Sequence, residues 1–239
     1  TLRSSGLAFS QPLTLAVGRH GQSCLSHSLN MEISEMGNAI RRRNGLLAVI
    51  LVSLSSFAIA ADQPHVDSTR EFSVLVPHGW TLESFPIGPT ALRMEIAKDG
   101  LYASCSITVV DTAKIPKDQI WIDQHVNGAP MDNGTLRSLV KGIESASGEK
   151  LSAYYASQLG IGGKKSRAMF YSTEAYSERV KSNLYTQALY TYYVRTSSQL
   201  GVTCLGGGVS RTIAQDGFET YNKTFTKILS SIKTRTKGQ

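Results

Sequence analysis

The sequence lacks the residue groupings on which most metal and hydrolytic sites are built. It contains no HExxH, GxSxG or DxDxDG motif, and such spacings are what position a zinc-binding pair, an activated serine or a calcium loop. Beyond residue 60 the three histidines, His65, His78 and His125, lie far apart without the spacing of a ligand pair. The sequence therefore predicts no metal site, no cofactor and no conventional catalytic motif.

Long apolar segments are also missing, with one short exception. Residues 46–57 form an apolar core of about a dozen residues, shorter than the roughly 20 that span a bilayer. Three arginines at positions 41–43 precede this core, and Ala58 and Ala60 follow it where signal peptidase requires small residues. Residues 36–60 thus predict a secretory signal peptide cleaved after Ala60. Residues 61–239 are then a single exported domain.

The signal peptide lies behind 35 further residues, although such a segment is captured as it emerges during synthesis. Residues 1–35 are therefore interpreted as non-native upstream sequence, with a genuine disordered extension as the alternative. A twin-arginine leader is a second alternative, but Gly45 stands where a bulky apolar residue is expected. The residue directly after the cleavage site is Ala61 and not cysteine, which argues against a lipid anchor. We expect a periplasmic or secreted protein with no stable membrane anchor.

Charged residues make up only 18% of the chain, with 25 basic and 18 acidic side chains. Residues 1–60 hold five of the basic and two of the acidic ones, so the net charge falls from +7 to +4 without them. The basic clusters around Lys164 and Lys233 lack the interleaved aromatic residues of a nucleic-acid groove. The excess charge is interpreted as solvated surface, and no nucleic-acid partner is expected.

Cysteine is scarce, and only Cys105 and Cys204 belong to the predicted exported domain. An even pair in an oxidising compartment favours a disulfide. Both lie in alternating segments on the apolar face, Cys105 with Ile107 and Cys204 with Val202. Two inward-facing cysteines on strands can meet, so we expect a Cys105–Cys204 bond; two separately buried thiols are the alternative.

The first half of the domain reads as a strand, a hairpin and two helices. Alternation predicts strands at 72–76, 90–98 and 101–111, and Asp99-Gly100 is a typical two-residue hairpin turn. Pro116 favours the start of a helix. A second helix is expected to end near Gly148. The predicted core contacts of the two helices are Ile120, Trp121, Ile122 and Val126, then Leu136, Leu139, Val140 and Ile143.

The second half is rich in tyrosine, with eight of the ten between residues 154 and 193. This favours strands at 149–159, 164–176 and 182–196, followed by a short one at 199–205. A capping box formed by Asp216 and Glu219 predicts the start of a terminal helix. Its apolar stripe is Phe218, Tyr221, Phe225, Ile228, Leu229 and Ile232. The fold class is α+β: an antiparallel β-sheet with helices on both faces, an α/β/α sandwich.

The ends of the domain resemble those of the PsbP-like fold, which photosystem PsbP proteins share with bacterial periplasmic DcrB-like proteins. Its opening strand reads F-x-V-x-x-P-x-G-W, here from Phe72 to Trp80, and its last helix reads F-x-x-I-x-x-S-I/F-K, here from Phe225 to Lys233. The resemblance spans roughly residues 70–233. It implies an assembly, binding or chaperone-like accessory without a shared catalytic site. The cysteine pair and the long tyrosine-rich strands are not part of that pattern.

Two functional hypotheses follow. Cys204 lies beside Gly206-Gly207-Gly208, which favours a nucleophile near backbone N–H groups if His125 comes close; an exported thiol-dependent or other hydrolase is therefore the alternative function. We prefer a non-catalytic accessory that holds a protein segment or a small apolar ligand at the cell envelope. Both faces of strand 182–196 carry tyrosines, which suits packing under helices or a tyrosine-lined groove. The candidate surface is Tyr155, Tyr171, Tyr185, Tyr193 and Arg195.

Overall fold

The computed structural model describes residues 61–178 and 180–234, without the side chains of residues 146 and 147. The predicted signal peptide and residues 1–35 lie outside the described residues. Within the described ranges, the helices are all too short or too polar to cross a bilayer.

The described chain forms ten strands, three α-helices and one π-helical turn. In chain order they are β1 (Gln63–Asp67), β2 (Phe72–Val76), β3 (Thr81–Ser84), β4 (Thr90–Lys98), β5 (Leu101–Asp111), α1 (Gln119–Ile122), the π-helical turn (Asp123–Asn127), α2 (Asn133–Ser147), β6 (Leu151–Ile161), β7 (Lys164–Ser177), β8 (Ser182–Val194), β9 (Ser198–Gly208), α3 (Arg211–Ser231) and β10 (Lys233–Thr234).

Seven strands form the main sheet in the order β3-β4-β5-β9-β8-β7-β6, and every neighbouring pair is antiparallel. β1, β2 and β10 form a small second sheet. Most neighbours in the main sheet are joined by hairpins, but β5 pairs with the distant β9. β6 therefore ends up at one edge of the sheet, with a partner on one side alone.

Helices cover both faces of the main sheet. On one face, here the α3 face, Phe218, Phe225 and Ile228 of α3 pack with Leu189 and Tyr193 and with the small sheet. On the other, the α2 face, residues of α2 pack with residues of β7 and β8; the cluster is Leu139, Val140, Ile143, Met169, Tyr190 and Tyr192. The predicted α+β sandwich and the predicted apolar stripes of α2 and α3 are confirmed.

Two hairpin turns follow directly from local sequence. Asp99 and Gly100 have φ of 54° and 77°, and Gly162 and Gly163 have φ of 58° and 79°. Two successive left-handed residues give the twist that joins right-twisted strands, and glycine adopts this conformation without steric cost. The predicted β4–β5 and β6–β7 hairpins are confirmed.

The first predicted helix is shorter than expected and begins later. Pro116 lies before it, and the N-cap is Asp118, whose carboxylate accepts a hydrogen bond from the Trp121 N–H at 2.8 Å. After one turn the chain widens into the π-helical turn. Ile122 is fully buried, whereas Ile120 is 70% exposed, so the prediction of Ile120 as a core contact is wrong. In so short a helix, periodicity alone does not select the buried face.

The capping box at Asp216 is also wrong. α3 begins at Arg211, and its N-cap is Ser210, whose hydroxyl accepts a hydrogen bond from the Ile213 N–H at 3.2 Å. Asp216 lies on the exposed surface of the helix, one turn inside it. Asp216 does not act as the N-cap, because the helix has already begun and Ser210 accepts the capping hydrogen bond.

The glycine run after Cys204 is strand and not loop. β9 continues through Gly206-Gly207-Gly208. Glycine is needed there because α3 crosses the strand so closely that a Cβ on Gly206 would meet the backbone of Ala214 and Phe218. β8 ends at Val194, two residues before its predicted end. The short strands β1, β3 and β10 were not predicted from the sequence, since segments of two to five residues carry little periodicity.

Candidate binding surface

The five residues of the predicted tyrosine surface lie on both faces of the sheet. Cross-strand partners share a face, and Tyr155 lies opposite Phe170, which lies opposite Leu189 on the α3 face. Tyr185, Tyr193 and Arg195 are each an even number of residues from Leu189, so they lie on the same face of the sheet as Leu189. Tyr171 lies opposite Ala188 on the α2 face. The structure therefore does not bring the five into one groove.

Tyr193 is a packing and anchoring residue, with only 1% of its surface exposed. Its hydroxyl donates to the Asp123 carboxylate at 2.7 Å and accepts from the Lys164 ammonium at 2.8 Å. Gln119 and Asn127 also donate to Asp123, and both donate to the backbone oxygen of Val194. The network ties the π-helical turn to the end of β8.

The protonation states of this network are set by burial and by its own hydrogen bonds. Burial alone would raise the pKa of Asp123, but hydrogen bonds from Tyr193, Gln119 and Asn127 and the charge of Lys164 hold that pKa below its usual value. Burial, followed by the adjacent carboxylate, raises the pKa of Tyr193. An ionised acid beside a neutral phenol fits a structural clamp, because each group already has a partner.

Arg195 is buried in the turn that follows β8. Its guanidinium donates to the backbone oxygen of Arg70 at 3.2 Å and lies 3.5 Å from the backbone oxygen of Glu71. Desolvation lowers its pKa from the usual value for arginine. Arg195 therefore holds the turn before β2 against the main sheet and is not free to meet a ligand.

Tyr185 and Tyr171 are also engaged within the protein. The Tyr185 hydroxyl donates to Glu174 at 3.2 Å, and the Arg211 guanidinium lies 5.7 Å from the centre of the Tyr185 ring. Arg211 pairs with the same carboxylate at 2.8 Å, and this hydrogen bond lowers the pKa of Glu174. Tyr171 packs against the α2 cluster, and burial of its hydroxyl raises its pKa. Both tyrosines fasten a helix to the sheet.

Tyr155 differs from the other four because it faces outward. It is 59% exposed, and its ring stacks on Phe170 at 5.1 Å between centroids. Its neighbour Tyr154, on the opposite face, is 44% exposed. Residues 152–156 are all exposed although they lie within β6, whose register with β7 shifts between Leu151 and Ala153. We call residues 152–156 the exposed edge segment.

The two ends of β6 are covered, which limits the exposed edge segment to the region between them. The N–H of Leu151 donates to Glu144 at 3.1 Å, and its side chain packs with the α2 cluster. Ile161 is buried, and the N–H of Gly162 donates to the Leu229 oxygen of α3 at 2.9 Å. Natural proteins usually protect a long edge with charge, proline or a β-bulge. From Leu151 to Ile161 β6 contains no charge and no proline, and its one register shift lies near its start, between Leu151 and Ala153.

Tyr154 was missed by the sequence analysis, which weighed the tyrosines by their number and alternation. A better signal was the absence of charge between Lys150 and Lys164, a stretch that covers most of the predicted strand 149–159. That signal becomes informative only once β6 is known to be an edge, because a central strand is uncharged for reasons of packing.

The cysteines form the expected bond. Cys105 and Cys204 are directly opposite in the β5–β9 ladder, with Cα atoms 4.1 Å apart, and their sulfurs are bonded. Both are buried. The ring of His125 stacks on Trp121, and its Nδ1 donates to the Trp121 oxygen at 3.0 Å. In residues 61–178 and 180–234, no three His, Cys, Asp or Glu side chains come together as a metal site would require.

No protein-family model matches the chain, and no curated protein matches it at a significant level. Among solved structures it is similar to CyanoP, the PsbP protein of Synechocystis sp. PCC 6803, at 13% identity and a TM-score of 0.42, over 77% of this chain and 99% of that one. It is also similar to LpqN, a protein involved in cell envelope biogenesis of Mycobacterium tuberculosis, at 11% identity and a TM-score of 0.37, over 73% and 86% of the two chains.

A third similar structure, from Bacteroides thetaiotaomicron, is 12% identical with a TM-score of 0.39, over 75% of this chain and 50% of that one. CyanoP is a PsbP protein, and PsbP is the family whose end motifs the chain resembles. Similarities of this size concern the fold, and they support no inference about activity or partners.

Proposed function

We propose that the protein is an exported, non-catalytic accessory of the cell envelope, which holds an extended segment of another protein along β6. The observation that carries this proposal is the exposed edge segment: five consecutive exposed residues within a strand that has a neighbour on one side alone. Such a strand presents unpaired backbone N–H and C=O groups to an incoming strand, and this is a recurring mode of peptide recognition.

The side chains of the exposed edge segment suit this role. Tyr154 and Tyr155 offer one aromatic ring to each face of a sheet extended by a further strand. The Tyr155 ring already rests on Phe170, so little conformational freedom is lost when a partner covers it. Tyrosine is enriched where one end of a side chain must be apolar and the other polar.

The disulfide supports export and argues against the hydrolase alternative. Disulfides persist in oxidising compartments. A thiol-dependent enzyme needs a free, accessible thiolate, whereas Cys204 is bonded to Cys105 and buried. The Nδ1 of His125 is held by the Trp121 oxygen. Neither residue is arranged as a nucleophile with its base.

The test replaces Tyr155 with lysine, which places a charge on the edge as natural edge protection does. Tyr176→Lys is the matched control, because Tyr176 is 55% exposed on the same face of β7, beyond the part that pairs with β6. Wild-type protein and both variants are incubated with an envelope extract, cross-linked and recovered. We expect a partner protein retained by the wild type and by Tyr176→Lys, and reduced about tenfold or more with Tyr155→Lys.

Equal retention of the partner by Tyr155→Lys and the wild type would contradict the proposal. So would a small apolar compound that co-purifies with all three proteins in place of a protein partner. Circular dichroism of the variants confirms that the fold is intact, since both substitutions are at exposed positions.

A further inference from the structure

We infer that the segment held by β6 runs antiparallel to it and carries a carboxylate near its amino-terminal end, paired with Lys165. This inference rests on the proposed function and adds the direction and the charge of the partner segment. It is carried by three observations: the position of Lys165 opposite a glycine of the edge strand, the lack of an acidic partner for it, and the antiparallel order of the sheet.

Lys165 lies on β7 directly opposite Gly160 of β6, on the α2 face. Gly160 has no side chain, and a Cβ there would meet only the Lys164 oxygen, at 3.7 Å. Nothing on β6 therefore covers the path from Lys165 to the open edge at this position. A residue opposite Gly160 on an added strand would lie two strand spacings from Lys165, about 9.6 Å between backbones. A lysine and a glutamate extended towards each other span that distance.

Lys165 is exposed and, in the part of the chain that the structure describes, takes part in no ion pair. The neighbouring Lys164 is different, because its ammonium lies 3.3 Å from the Asp123 carboxylate and donates to Tyr193. Arg167, on the same face as Lys165, donates to the Ala129 oxygen. This end of the edge therefore carries a cationic group that a carboxylate on the partner would complement.

The direction follows from the sheet, in which every pair of neighbouring strands is antiparallel. β6 runs from Leu151 to Ile161, so the residue opposite Gly160 is near the amino-terminal end of an antiparallel segment. The residues opposite Tyr155 and Tyr154 then follow about five and six positions later. The segment is thus expected to have a carboxylate, a short spacer and then side chains that pack on the tyrosines.

A second copy of this chain is the competing occupant, because the face that carries Gly160 continues past the register shift at Leu151 towards Glu149. The experiment therefore includes a measurement of self-association.

The experiment uses three synthetic ten-residue peptides with the same alternating valine–threonine sequence and one central tyrosine. One has a glutamate near its amino terminus, the second has a glutamine there, and the third has its glutamate near the carboxyl terminus. Each is titrated into isotope-labelled protein, and the backbone amide shifts of β6 are followed. We expect the first peptide to bind about three- to fivefold more tightly than the second, which is the range of one surface ion pair.

The preference should disappear in Lys165→Gln, fall at high salt, and persist in the charge-matched control Lys223→Gln, since Lys223 is exposed on α3. Equal binding of all three peptides, with no effect of Lys165→Gln, would overturn the inference and leave the proposed function standing. A dependence on Lys165 for the third peptide alone would overturn the direction.

Absence of any shift in β6 with all three peptides would count against the proposed function itself. Self-association that shifts the same amides as the protein concentration rises would overturn the inference in favour of a second copy. Sedimentation of the peptide-free protein over that concentration range identifies this outcome.

Discussion

At the scale of single residues, Asp123 is where the polar contacts between the π-helical turn and the sheet converge. One carboxylate oxygen accepts from Gln119, Asn127 and Tyr193, and the other lies 3.3 Å from Lys164. Asp123→Asn removes the charge from a partly buried network, and we expect it to lower the free energy of unfolding by about 1–3 kcal/mol. Urea unfolding with the disulfide intact measures the change.

The effect of Asp123→Asn on the free energy of unfolding depends on pH. The folded structure lowers the pKa of Asp123, so its contribution to stability is present above the pKa of the unfolded chain, about 3.9, and is lost as the pH falls through the folded value. The difference in stability between wild type and Asp123→Asn should therefore be constant from about pH 5 to pH 7 and shrink below about pH 4.

Glu83→Gln, which weakens an exposed contact with Arg93, is the control and should leave the unfolding midpoint unchanged. A difference that grew on acidification would contradict this account.

At the scale of elements, the close approach of α3 to β9 depends on glycine. A Cβ on Gly206 would meet the nitrogen of Phe218 and the oxygen of Ala214, and these are backbone atoms that cannot turn aside. Gly206→Ala must push the helix away from the strand, and we expect it to lower the free energy of unfolding by about 1–3 kcal/mol or more. Thermal and urea unfolding measure the loss.

Gly160→Ala is the matched control, because Gly160 is also a strand glycine but has room for a methyl group. The nearest atom to a Cβ added at Gly160 is the Lys164 oxygen at 3.7 Å, which is an ordinary contact distance. Gly160→Ala should change stability by no more than about 0.5 kcal/mol. If the two alanine variants were equally stable, the glycines of β9 would not be needed for helix packing. Their role near Cys204 would then have to be reconsidered.

At the scale of the whole molecule, the disulfide joins two halves of the chain that local contacts leave separate. Cys105 and Cys204 are 99 residues apart in sequence and lie at the centre of the main sheet. The double variant Cys105→Ala/Cys204→Ala is expected to lose about 2–5 kcal/mol of unfolding free energy, chiefly through the greater freedom of its unfolded chain. Chemical unfolding of wild type and variant gives the value.

A reductant should lower the unfolding midpoint of the wild type towards that of the double variant and leave the variant unaffected. Before reduction, alkylation of the native protein followed by peptide mapping should leave Cys105 and Cys204 unmodified. Rapid labelling of Cys204 without reductant would contradict the bond and return the thiol-dependent enzyme to consideration.

Much of the fold was predictable from the sequence, because it depends on neighbours along the chain. The turn at Asp99-Gly100 requires residues that tolerate positive φ, and the sequence places them between two alternating runs. The buried stripe of α3 follows from the helical period alone. Cap positions were harder, as Ser210 shows, since several residues near a helix start are able to act as caps.

The candidate binding surface was not predictable in the same way. Tyr155 and Tyr193 lie in similar tyrosine-rich strands, yet one is exposed and the other is buried. Composition and alternation by themselves determined the longer strands, the two hairpin turns and the apolar faces of α2 and α3, because these are properties of short segments. Strand order decided the rest: pairing of β5 with β9 brings the cysteines together, places β8 inside the sheet and leaves β6 at its edge. Only contacts between distant parts of the chain determine that order, so only the tertiary structure could show which tyrosines face a partner.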